Sequence, residues 1–80
     1  MNGPAEYGCV LFDATQAAIR AEKTLKAAGL RVKLIPVPRQ LSADCGVCIR
    51  FVWAERAQVE AFLRAAGVPI AGVQRLQNGG

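Results

Sequence analysis

Apolar and polar positions alternate along this chain in two repeated patterns. Residues 7–12 (Tyr-Gly-Cys-Val-Leu-Phe) form a short apolar run with a valine and two aromatics, which predicts a strand. Asp13 follows, with Gln16 three residues on, a capping-box start in which Asp13 caps and Gln16 reaches back. Ala14, Ala18, Ala21, Leu25 and Ala28 then recur at spacings of three and four, so one apolar stripe predicts a helix to Ala28. Glu22, Lys23 and Lys26 lie off that stripe, and Gly29 ends the helix as a left-handed cap. Residues 30–35 alternate, with Val32 and Leu34 on one face of a second strand. Residues 47–52 predict a third, with Val47, Ile49 and Phe51 on one face and Cys48, Arg50 and Val52 on the other. Residues 54–66 form a second helical stripe through Val59, Phe62, Leu63 and Ala66, closed by Gly67. Residues 69–76 read as a fourth strand whose alternation breaks around Ala71-Gly72, as at a bulge or sheet edge.

The two halves match each other. Residues 21–32 align without gaps on residues 59–70, and the same offset carries Gly8 onto Gly46 and Leu11 onto Ile49. The order is therefore strand–helix–strand twice over. Two such units in 80 residues predict a single α+β domain, the ferredoxin-like split βαβ sandwich. Right-handed crossovers place both helices on one face of a four-stranded antiparallel sheet. The ordered core is expected over residues 5–77, with flexible tails at 1–4 and 78–80.

One stretch fits neither pattern. In residues 36–46, Pro36 and Pro38 forbid regular helix and remove two backbone donors. Ser42, Asp44 and Gly46 then mark a tight turn around Cys45. In the predicted topology the third strand lies between the first two and runs antiparallel to both. Its start then meets the end of the first strand, which brings Cys45 near Asp13, Ala14 and Thr15 at the start of the first helix. Amide groups and the helix dipole there favour an anion. Ser42 is a candidate cap for one helical turn ending at Cys45. Either arrangement lowers the thiol pKa; Arg39 would add to the effect, while Asp13 and Asp44 oppose it.

Cys45 and Cys48 form a C-x-x-C, but one that enters a strand. Three extended residues span roughly 10 Å, beyond the roughly 7 Å Cα separation a disulfide tolerates. Cys48 is placed on the outer sheet face, and Cys9 is expected to point into the core with Leu11 as a packing residue. That would leave Val10, Phe12, Ile35, Cys48 and Val52 on the open face, an apolar surface that predicts a sheet-to-sheet homodimer.

Composition narrows the chemistry. Hydrophobic residues make up 52% of the chain, too many for a disordered segment. Ten basic and six acidic residues give a net charge of +4, but the basic residues are scattered, so no nucleic-acid or membrane patch is expected. The start of the chain lacks the pattern of a signal peptide, and no apolar run approaches membrane-spanning length. Three cysteines, an odd number, fit a reducing cytoplasm. Histidine is absent, which removes Cys-His catalysis and leaves three cysteines short of a usual metal site, so neither metal nor cofactor is expected.

The chain resembles a known bacterial family, the small selenium/sulfur carrier-like domain. The resemblance runs through residues 11–18 and 21–29. It continues in Leu34-Ile35-Pro36-Val37-Pro38-Arg39, Leu41-Ser42-Ala43-Asp44-Cys45-Gly46 and Ile49-Arg50-Phe51. The Pro-x-Pro-Arg with Ser-x-x-Cys-Gly carries it; the helical part is less specific. The resemblance implies a carrier that holds sulfur or selenium on Cys45 as a persulfide or selenopersulfide. It implies cysteine-desulfurase-type donors or selenium-handling enzymes as partners, and at most a sulfurtransferase-like role. Arg39, Ser42, Gly46, Asp13 and Thr15 would surround the bound anion. Cys48 departs from the family pattern, which has a small apolar residue there, and is a candidate resolving thiol. The competing reading is a non-catalytic dimer whose loop binds a small anion and whose Cys45 is incidental. A C-terminal thiocarboxylate on Gly79-Gly80 belongs with a ubiquitin-like strand order, which this chain lacks.

Overall fold

Alternation in the third strand fixes the layers. The computed structural model describes residues 6–38, 41 and 46–76. Its elements are β1 (Tyr7–Leu11), α1 (Thr15–Ala27), β2 (Val32–Pro36), β3 (Val47–Val52), α2 (Arg56–Ala65) and β4 (Gly72–Arg75), with one 3₁₀ turn over Trp53–Glu55. The strands form one sheet in the order β2-β3-β1-β4, every neighbouring pair antiparallel. β3 therefore sits between β1 and β2, as the two-unit pattern predicts.

Val10 and Phe12 at β1, with Ile49 and Phe51 on β3, pack in one core with Ala18, Ala21 and Leu25 of α1 and Val59 and Leu63 of α2. Both helices thus cover the same sheet face. A fully buried leucine or phenylalanine contributes about 1.5–3 kcal/mol, whereas an exposed helical ion pair contributes about 0.3–0.5 kcal/mol. The pairs Lys26–Glu22 and Arg56–Glu60 are exposed and of the second kind, so apolar contacts decide the layering. Gly29 (φ 86°) and Gly67 (φ 72°) end the helices in the left-handed region, as their positions predict.

Three local expectations are corrected. The β1 faces are reversed: Val10 and Phe12 point to the helices, while Cys9 and Leu11 face the other side with Cys48. Residues 7–12 are apolar at nearly every position, so alternation carries no information about which face is which. The bulky Phe12 ring goes between the layers. The face away from the helices accordingly carries Cys9 and Leu11, not Val10 and Phe12, beside Ile35 and Cys48. Second, α1 begins at Thr15 with Ala14, a residue without a capping side chain, as its N-cap, so Asp13 is not the N-cap. Third, the second helical stripe opens with the 3₁₀ turn before α2 begins at Arg56. The tails expected at 1–4 and 78–80 lie outside the described residues.

Trp53 closes the far end of the core. Its ring stacks on Phe51 at 5.9 Å between centroids. The guanidinium of Arg56 lies 5.3 Å from the ring and that of Arg75 lies 5.9 Å from it. Arg75 also pairs with Glu6. Trp53 leans against the backbone at Gly8, where a Cβ would stand 2.8 Å from Trp53 Cζ3 and 2.9 Å from Phe51 Cζ. Because Phe51 is buried and cannot swing aside, Gly8→Ala is expected to destabilise the fold by about 1–3 kcal/mol, read as a lowered urea midpoint with unchanged m.

Candidate thiol site

Pairing carries the start of β3 to the start of α1. Leu11 of β1 pairs with Cys48, and Pro36 of β2 pairs with Val47. One step further out, the Val37 amide donates to the Gly46 carbonyl at 3.2 Å. Gly46 thus sits at the end of the sheet where β1 gives way to Asp13, Ala14 and Thr15, and all four residues are exposed. Ala14 accepts from the amides of Ala17 and Ala18 (3.1 and 3.3 Å) to open the helix. Among the described residues, the register thus brings Gly46 to the end of the sheet where α1 starts. Cys45, Arg39, Ser42 and Asp44 themselves lie outside the described residues.

The two remaining cysteines come together. Cys9 pairs with Arg50, and Leu11 with Cys48, so Cys9 and Cys48 are diagonal neighbours across β1 and β3. Both are unbridged thiols with 0% exposure. With Leu11 they form a second apolar cluster on the sheet face away from the helices, covered by Ile35, Val37, Leu41 and Leu76. A hydrogen bond from Cys48 holds the Cys9 thiol below its ordinary pKa, against the opposing push of burial. Cys9 is the residue the sequence reading missed as chemistry. Its signal was weak: only the β1–β3 register reveals that two cysteines far apart in the chain meet.

Four of the basic residues that look scattered in sequence also gather. Lys26, Arg31, Lys33 and Arg50 line a groove of about 670 Å³ with Tyr7, Leu30, Val32 and Val52, at the opposite end of the sheet from Gly46. Arg50 lies over the Tyr7 ring at 4.6 Å, and Lys26 is paired with Glu22. Among the described residues no group of three or more metal-ligating side chains forms, and no helix is long and apolar enough to cross a membrane.

The thiol pair makes a pH prediction. A thiol whose folded pKa is depressed stabilises the fold at pH values above its unfolded pKa, and that contribution is lost as pH falls through the folded value. In a Cys45→Ser background, thiolate absorbance should therefore begin to rise below the ordinary thiol range, near 8.5. Cys48→Ala should move the Cys9 titration upward, since burial alone remains. A Cys9 titration unmoved by Cys48→Ala would show that the hydrogen bond does not set it.

Comparison with known proteins adds the family. A family model described as "Putative Se/S carrier protein-like" matches residues 7–75, nearly the whole chain. A curated relative, "Uncharacterized protein YtiA" of Escherichia coli (strain K12), is 41% identical over 39 residues, which is 49% of this chain and 46% of that protein. The match thus spans about half the length of that relative. No solved structure matches. With the family model covering all four strands and both helices, the chain belongs to the Se/S carrier protein-like family.

Proposed function

We propose that this protein carries sulfur or selenium on Cys45, as a persulfide or selenopersulfide. The observation that carries the reading is the family match across residues 7–75, which spans Cys45. The fate of the other thiols supports it: Cys9 and Cys48 are fully buried beneath an apolar cover, which leaves Cys45 as the thiol to meet a partner enzyme.

The transfer needs no histidine. The Cys45 thiolate attacks the outer sulfur of a donor persulfide. The bond between the two donor sulfurs breaks, the donor cysteine leaves as a thiolate, and Cys45 keeps the sulfur as S–SH or S–S⁻. A selenium donor follows the same electron count. An acceptor thiolate then attacks the outer atom in turn and releases the Cys45 thiolate. The Gly46 amide and the start of α1 at Thr15 favour the bound anion. Arg39 and Ser42 are assigned to the same anion, and the exposed Asp13 opposes it. The donor is a cysteine-desulfurase-type or selenium-handling enzyme.

Incubation with a cysteine desulfurase and free cysteine should add one sulfur to the intact mass of the wild-type chain and none to Cys45→Ser. Cys48→Ser should load as the wild type does. Loading lost in Cys48→Ser but kept in Cys45→Ser would overturn the assignment. No loading of any form would favour an anion-binding module in which Cys45 is incidental.

A further inference from the structure

The thiol pair beneath the apolar cover has no part in that transfer, yet it is built for chalcogen chemistry. We propose that Cys9 and Cys48 hold one sulfur or selenium atom between them, as a protein-bound trisulfide or selenotrisulfide. This rests on the sulfur/selenium reading of the chain but not on Cys45.

Three features point to a one-atom bridge. The first is spacing. The two residues are diagonal across β1 and β3, and β3 is held on both edges by pairing to β1 and β2. Diagonal positions stand about 7–8 Å apart, whereas a disulfide wants Cα atoms within about 6.8 Å. The sheet therefore resists a direct bond, while thiols in hydrogen-bond contact stand at a separation that an inserted atom can span. Two sulfur–sulfur bonds of about 2.05 Å meeting at a bent central atom reach about 3.3 Å between the outer sulfurs.

The second feature is charge. The pocket is lined by Leu11, Ile35, Val37, Leu41 and Leu76. A terminal persulfide is an anion and would be penalised there; a bridged chalcogen is neutral and is not. The third is access. Both sulfurs have 0% exposure, so thiols in solution cannot readily attack the electrophilic central atom. Cys9, in contact with Cys48 across β1 and β3 and with its thiol pKa lowered by that contact, is the first nucleophile.

Loading balances without an added oxidant when the donor is a thiol-capped chalcogen such as selenodiglutathione. The Cys9 thiolate attacks selenium, one glutathione thiolate leaves, and a Cys9–S–Se–S–glutathione adduct forms. Cys48, deprotonated, attacks the same selenium; the second glutathione thiolate leaves and the Cys9–S–Se–S–Cys48 bridge closes. Each step exchanges one bond at selenium for another, so the oxidation state of selenium is unchanged.

The test uses the full-length Cys45→Ser chain, in which tryptic peptide 40–50 keeps only Cys48. After incubation with selenodiglutathione, the intact mass should rise by one selenium less two hydrogens. Peptides 1–20 and 40–50 should be joined through selenium, and dithiothreitol should release them. Cys9→Ala in that background should hold no bridging selenium, and the unmutated chain should bridge as well, so a folding defect in the variant does not decide the matter. A plain Cys9–Cys48 disulfide without selenium, an adduct that keeps its glutathione, or no reaction would each overturn the proposal. Because this chain lacks Cys45, those outcomes leave the Cys45 transfer untouched, while desulfurase loading of the wild type tests that transfer alone.

Discussion

The structure depends on β3 being bonded along both edges. A strand paired with β1 on one side and β2 on the other cannot slip by one residue without turning Ile49 and Phe51 out of the core and Cys48 and Arg50 into it. Burying the aromatic and aliphatic side of β3 against α1 and α2 therefore fixes everything on its other side as well. It also fixes the strand's two ends: Gly46 arrives beside the start of α1, and Val52 delivers Trp53 onto the backbone at Gly8.

That constraint separates the three thiols. Cys48 is carried on the polar-alternate side of a locked strand, directly against Cys9 and under residues of the segment that joins β2 to β3. Val37 and Leu41 belong to that same segment, and Cys45 follows a few residues later in the chain. That connection thus supplies part of the cover over one pair of sulfurs and bears the third in sequence. Buried, closely spaced thiols suit storage of a bridged atom; a thiol preceding the strand suits exchange with another protein. The cations gathered around Arg50 and Tyr7 stand at the other end of the sheet.

Much of this was legible in the residues. The alanine and leucine stripe of α1, the glycines at 29 and 67, the Val47-Ile49-Phe51 face of residues 47–52 and the internal match of 21–32 with 59–70 all agree on one topology, and the sheet order follows. The failures share a cause. Where a run is apolar on both sides, as in residues 7–12, period two has no contrast to read, and Cys9 was assigned to the wrong face. Asp13 looks like a cap because capping residues are recognised by type and spacing, but the N-cap falls one residue later, at Ala14, and the helix begins at Thr15. Trp53 and the thiol contact depend on tertiary register, which no single segment encodes. Arg39, Ser42 and Cys45 of the proline-rich connection lie outside the described residues.

The division between exchanging and enclosed thiols is tested most directly by locating the first sulfur delivered to the unmutated chain. After brief incubation with a desulfurase and cysteine, tryptic peptide 40–50 contains both candidate cysteines, and fragmentation between Gly46 and Val47 separates them. The added sulfur should sit on Cys45, with Cys48 unmodified at the earliest time. Sulfur appearing first on Cys48 would contradict the account, because it would require the buried thiol to be the one that meets the donor.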